Sequence, residues 1–247
     1  MSTRRSQGPA CLVRVALGFL VMTIGSLLML LVAVLTAFRL RGLYAEVLAG
    51  RLGKILLGLW GVRVVTHDFV PAPGRQRVYV SNHTSSLDMF VLISLGLPDT
   101  RYFMSGFLRK ILPLGLIGYL IGMIWTVPQE YPQRRTQIFQ GAERLLRRTG
   151  ESVYLSPEGR RVAEGGVGHF NKGAFHLATA LAAPIVPFYI YIPPEIDPGM
   201  GHCPGSGTVH VYFKPEIDTS GWRLEDVVEN KEAVRRQFET WHREYHG

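Results

Sequence analysis

From Val15 to Phe38 the chain carries no charged residue. Wound as a helix, that run reaches about 36 Å, longer than the ~30 Å hydrocarbon core of a bilayer. The apolar core is too long for a cleaved signal peptide, and no small-residue cleavage site precedes Arg39. A retained membrane anchor is the expectation. Arginines flank it on both sides: Arg4, Arg5 and Arg14 before, then Arg39, Arg41, Arg51 and Lys54 after. Positive charge therefore barely selects an orientation. Between Leu43 and Trp60, Arg51 and Lys54 interrupt apolar residues. Such a stretch is an amphipathic helix on the membrane, or packed on the first helix, with a core helix of a soluble domain as the alternative.

A chain of 247 residues has room for one large domain besides such an anchor. The expected division is residues 1–60 as membrane-anchoring helices and 61–247 as the folded domain. Apolar β-type runs at Arg63–His67, Arg77–Ser81, Arg101–Met104, Gly122–Val127, Ser152–Leu155, Pro184–Tyr191 and Thr208–Lys214 alternate with helical patterns. The helices are expected from Ser85 or Ser86 to Gly96, from Tyr131–Pro132 to Arg148, from Asn171 to Leu181 and from Leu224 to Tyr245. Leu108 to Ile121, apolar and broken by Pro113, Gly115 and Gly118, reads as a broken helix facing lipid. This pattern predicts an α/β fold, a mixed sheet flanked by helices, with a transmembrane or membrane-embedded helical anchor at the N-terminus.

The net charge of +8 invites an anionic partner. No nucleic-acid motif accompanies the arginines, so lipid headgroups or a phosphorylated substrate fit better than nucleic acid. The two cysteines, Cys11 and Cys203, are far apart and outside any Cys-x-x-Cys pattern. They speak against a disulfide scaffold or a zinc site and predict a reduced domain on the cytoplasmic side of the membrane.

Between the strand Val78-Tyr79-Val80 and the apolar segment from Met89 lies Ser81-Asn82-His83-Thr84-Ser85-Ser86-Leu87-Asp88. His83 and Asp88 would be about 140° apart on one straight helix. They converge if His83 sits in the loop leaving the strand and Asp88 in the first turn of the next helix. The same residues also make ordinary turns and caps. Two further polar clusters follow strands: Glu158 with Arg161, and the loop ahead of Asn171-Lys172-Gly173. In an open α/β sheet such clusters gather at the strands' carboxyl ends.

Asn82-His83 with Asp88, the loop Pro157-Glu158-Gly159-Arg160-Arg161, Phe170-x-Lys172-Gly173-Ala174-Phe175-x-x-Ala178 and the strand Pro184-Ile185-Val186-Pro187 occur in that order. Together they resemble the glycerolipid acyltransferase family that includes the 1-acylglycerol-3-phosphate acyltransferases. The resemblance implies a membrane-bound O-acyltransferase that moves a fatty acyl chain from acyl-CoA or acyl carrier protein to a lysophospholipid. The acceptor it implies is 1-acylglycerol-3-phosphate, with phosphatidic acid as product. Another lyso-lipid acceptor, such as a lyso-aminolipid, or a non-enzymatic lipid-binding role are the alternatives. Under the resemblance His83 is the base and Asp88 its orienting acid, while Asn82, Glu158, Gly159, Arg160, Arg161 and Lys172 bind substrate. No metal and no cofactor beyond the acyl donor are implied. Two positions depart from the family pattern. Arg160 stands where a small threonine is usual, leaving open which of Arg160 and Arg161 turns inward. The segment Gly122 to Pro128 lacks the family's phosphate-binding arginine, so either Arg134 or Arg135 replaces it or the acceptor's head differs.

Overall fold

The computed structural model describes residues 8–68, 73–162, 166–198, 201 and 203–246; Arg4 and Arg5 lie outside them. Seven strands form one sheet in the order β1-β7-β6-β2-β5-β3-β4. They are β1 (Val62–His67), β2 (Val78–Ser81), β3 (Thr100–Ser105), β4 (Ile124–Thr126), β5 (Ser152–Tyr154), β6 (Ile185–Tyr191) and β7 (Gly207–Phe213). Neighbours are parallel except β6 and β7, so β1 and β7 run against the other five. The sheet is mixed, as expected from the sequence.

Alternation along the strands divides the core in two. Tyr79, Tyr102, Tyr154, Val186 and Phe188 enter one apolar cluster. Their chain neighbours Val78, Phe103, Val153, Ile185 and Tyr189 enter the other. The first face is covered by α1 (Pro9–Leu35), α2 (Gly50–Leu59), α3 (Asp88–Ser94) and α4 (Leu112–Ile121); a π-helical turn, Leu43–Ala49, runs directly into α2. The second face carries α5 (Pro132–Thr149), α6 (Gly173–Leu181) and α7 (Val227–His246).

Helix α1 is long and apolar enough to cross a membrane by length and composition, yet one side of it belongs to the fold. Gly18, Met22, Ser26, Met29 and Ala33 are buried at helical spacing, and Gly18 lies against the Trp60 ring. The rest of its surface, including Leu12, Leu20, Leu27, Leu31 and Leu35, is exposed and apolar, the face suited to lipid. Tyr44, Ala45, Ala49, Leu52, Leu56 and Leu57 are buried in the first cluster, so the helical segment after α1 packs into the core. The break expected between Leu108 and Ile121 is a 3₁₀ turn at Leu108–Lys110 followed by extended Ile111. Arg41, read from the sequence as a membrane-flanking charge, points inward. It pairs with Glu151 and donates to the Ile121 carbonyl at 3.1 Å, while Arg101 holds the same carboxylate. This triad pins the end of α4 to the start of β5.

One expectation is corrected. Cys11 and Cys203 are joined by a disulfide, their Cα atoms 5.9 Å apart across a separation of 192 residues. The loop before β7 folds back onto the first turns of α1, a proximity that sequence distance conceals. The thiols therefore give no support to a reduced, cytoplasmic domain.

Close helix packing makes a specific demand at Gly96. Its φ is +58°, and a Cβ there would stand 2.7 Å from the Glu46 carbonyl oxygen. We predict that Gly96→Ala destabilises the fold by about 2–4 kcal/mol, lowering the melting temperature by roughly 5–10 °C. Gly141→Ala, in α5 with open space around it, should raise the temperature slightly. Thermal unfolding of both variants in detergent checks the pair; equal melting temperatures would refute it.

Candidate active site

Strands β2 and β5 are parallel neighbours, Val78 paired with Val153 and Tyr79 with Tyr154. The chain leaving β2 turns to α3 on the first face, and the chain leaving β5 turns to α6 on the second. Loops that diverge to opposite faces from adjacent strands open a crevice at the carboxyl end of a sheet. All three polar clusters gather around that crevice.

His83 sits in the loop after β2, and Asp88 is the first residue of α3. His83 Nδ1 is 2.7 Å from Asp88 Oδ2. The same oxygen accepts the backbone N–H of Thr84 at 2.9 Å and of Ser85 at 3.0 Å. Asp88 is 1% exposed, whereas the His83 side chain is 32% exposed and reachable from outside. An acceptor at Nδ1 places that nitrogen's proton toward Asp88 and leaves Nε2 as the free lone pair. Ser85 Oγ donates to Asp197 at 2.7 Å and receives the Leu87 amide at 3.2 Å, and Ser86 Oγ donates to the Gly201 carbonyl at 3.2 Å. Both hydroxyls are thus engaged in holding the loop.

Glu158 is 3% exposed and joins the two loops. Oε2 accepts the His83 amide at 2.6 Å and Oε1 the Gly168 amide at 2.8 Å. A backbone bond from Val162 N to His83 O at 2.9 Å runs alongside. Burial pushes the Glu158 carboxyl up to about 7, against the pull of the Gly168 and His83 amides and of the His83 charge. Gly159, at φ +66°, has Asn171 Nδ2 2.8 Å from where a Cβ would stand. That Nδ2 donates to the carbonyls of Pro157 and Glu158, both at 3.0 Å. Asn82 is also committed to structure. It exchanges two hydrogen bonds with Ile190, at 2.9 and 2.8 Å, bracing the end of β2 against β6.

Arg160, Arg161, Glu158 and His169 line one polar pocket of about 480 Å³. Lys172 lines a different groove between α5 and α6, with Arg135 and His176; Gln129 and Asn171 border both. Arg134 lies over the Tyr131 ring, 5.8 Å from its centre, and Arg135 donates to the Val127 carbonyl at 3.0 Å. Neither is among the residues lining the pocket of Arg160 and Arg161. An apolar cavity opens among α1–α4, lined by Met22, Leu52, Phe90, Ile93, Leu114 and Met123 among others. Sequence reasoning missed Asn171 and Asp197 as supports of the site. Asn171 adjoins Lys172-Gly173, a signal that could have found it, while Asp197 lies in a Pro/Gly-rich loop without any periodic signal.

The Acyltransferase family model matches residues 61–191. The chain is 33% identical to the Brassica napus protein 1-acyl-sn-glycerol-3-phosphate acyltransferase BAT2, chloroplastic, over 66% of this chain and 47% of that one. It is 34% identical to Homo sapiens 1-acyl-sn-glycerol-3-phosphate acyltransferase beta, over 67% of this chain and 59% of that one. The chain thus spans about half the length of these relatives. The crystal structure of the 1-acyl-sn-glycerophosphate acyltransferase PlsC from Thermotoga maritima superposes with a TM-score of 0.68. That match covers 94% of this chain and 97% of the other at 18% identity, a likeness of fold.

The raised Glu158 value sets a sign for stability against pH. Between the ordinary 4.5 and about 7, the folded protein holds a proton that the unfolded chain has released. The contribution is full below about 4.5 and is lost as pH rises through 7, about 3 kcal/mol at most. In Glu158→Gln one of the two amides loses its acceptor, so we predict lower stability throughout, by about 1–3 kcal/mol, and a flatter pH dependence. Melting temperatures from pH 4.5 to 7.5 test this; parallel curves for wild type and variant would contradict it.

Proposed function

The chain belongs to the acyltransferase family, and from that premise and the pairing of His83 with Asp88 we propose that it transfers a fatty acyl chain from a thioester to a lysophospholipid hydroxyl. The donor is acyl-CoA or acyl carrier protein. The acceptor is 1-acylglycerol-3-phosphate and the product phosphatidic acid, in keeping with the names its relatives carry. The enzyme works bound to the membrane through the exposed apolar side of α1. The carrying observation is the 2.7 Å contact between His83 Nδ1 and the buried Asp88 carboxylate.

The acceptor's hydroxyl oxygen attacks the thioester carbonyl carbon while His83 Nε2 takes its proton. Asp88 fixes the imidazole in the tautomer that leaves Nε2 free, and its charge favours the imidazolium as it forms. The tetrahedral intermediate then collapses, the C–S bond breaks, and the proton passes from Nε2 to the departing sulfur. The acceptor is its own nucleophile, so no acyl-serine is needed, consistent with the engaged hydroxyls of Ser85 and Ser86. Arg160 and Arg161 offer planar donors suited to the acceptor's phosphate. Lys172, on the α5–α6 groove, serves the donor's phosphates.

The acyl chain enters the apolar cavity among α1–α4, whose lining carries no charged side chain. Its open volume is about 30 Å³, so a chain enters only as flexible linings such as Met22, Met89 and Met123 turn aside.

His83→Ala is expected to cut turnover by about 10²–10⁴-fold while membrane association persists. Purified protein supplied with labelled acyl-CoA and a panel of lyso-lipids, with products read by mass spectrometry, measures this. Near-wild-type turnover without the imidazole would sink the mechanism, and indifference to the acceptor's phosphate would sink the acceptor assignment.

A further inference from the structure

His169 lines the same pocket as Arg160 and Arg161, and its side chain meets an unusual neighbour. Lys231, on α7, is only 4% exposed. Its Nζ lies 3.4 Å from His169 Nε2 and 3.0 Å from Glu232 Oε1. A buried ammonium is costly unless its protons find acceptors. Glu232 serves Arg235 as well, at 2.9 Å. Hydrogen bonds from Arg235 and Lys231 draw the Glu232 carboxyl down to about 2, so a carboxylate stands opposite the ammonium.

The chemistry of the pair fixes a proton. An ammonium only donates, so the Nε2 it faces accepts, which places the ring's N–H on Nδ1. His169 is exposed and lines a pocket with two arginines and a single carboxyl, Glu158, and its remaining polar atom is a donor. A donor reinforced by a cation suits an anionic ligand and gains little from a neutral one.

We propose that His169 and Lys231 complete the site for the acceptor's phosphate. His169 donates from Nδ1 to a phosphate oxygen, and Lys231 acts through it as a positioning residue that sets the tautomer and adds positive potential. The assignment rests on the lysophosphatidate reading above and names the residues that would discriminate a phosphorylated acceptor from a neutral one.

The test uses the full chain in mixed micelles with acyl-CoA and two acceptors, 1-acylglycerol-3-phosphate and 1-acylglycerol. His169→Ala and Lys231→Met are expected to raise KM for the phosphorylated acceptor about tenfold. Their kcat should stay within about twofold, and their KM for 1-acylglycerol should not move. His169→Asn, whose amide nitrogen occupies the place of Nδ1, should restore most of the affinity, as should Lys231→Arg. An unchanged KM for the phosphorylated acceptor in His169→Ala, or an equal rise for both acceptors, overturns the assignment while leaving the acyltransferase reading intact. His169 is exposed, so its variants decide between these outcomes even if Lys231→Met fails to fold. A wild-type enzyme indifferent to the phosphate overturns the acceptor reading and this assignment together.

Discussion

One buried carboxylate ties the chemistry to the fold. Glu158 receives the amide of His83 from the loop after β2 and the amide of Gly168 from the loop after β5. Those loops leave neighbouring parallel strands for opposite faces of the sheet, and Glu158 joins them together with the bond from Val162 N to His83 O. Hydrogen bonds to a charged acceptor are worth about 1.5–3 kcal/mol each, while burial works against the charge. Burial outweighs the amides, since the carboxyl is pushed up from 4.5 to about 7. The crevice is therefore closed by an interaction whose strength follows its ionisation, and the position of His83 follows from it.

The two faces of the sheet also separate two kinds of surface. On the first, α1–α4 enclose an apolar cavity and present the exposed apolar side of α1. Around the loop that leads to the second, Arg160, Arg161 and His169 line a polar pocket. The loop of His83 is tied to the second of these surfaces through Glu158 and Val162. The lipid acceptor proposed above, with an apolar chain and a charged head, would use both kinds of surface. The Arg41–Glu151–Arg101 triad matters for the same reason, since it keeps the helical layer registered on the strand ends.

Much of this arrangement was legible in the sequence. Seven apolar runs became the seven strands because a short β-type apolar run between turn residues is a local signal, even where, as in β4, the strand is only half-buried. The convergence of His83 with Asp88 was legible because both lie within one strand-loop-helix unit. What escaped was long-range. Asn82 reads as a substrate ligand until Ile190, 108 residues on, is seen to take both ends of its amide. Arg41 reads as a membrane-flanking charge until Glu151 is found beside it. Cys11 and Cys203 read as reduced because nothing in their neighbourhoods announces the other. Lys231 sits in a polar helical pattern, where burial on one face is not visible from spacing alone.

The spacing of five between His83 and Asp88 looks unsuitable for a cooperating pair, and the structure explains why it works. One oxygen, Asp88 Oδ2, gathers the imidazole Nδ1 and the amides of Thr84 and Ser85. The two amides hold the carboxylate still at the start of α3, and the loop they belong to carries the imidazole back to it. Orientation is thus set by the folded loop before any substrate arrives. In the proposed mechanism, the attraction of His83 to Asp88 grows as the imidazole takes a proton, without either group moving. An interaction already in place in the resting state and strongest at the imidazolium would, in that mechanism, act selectively on the transition state.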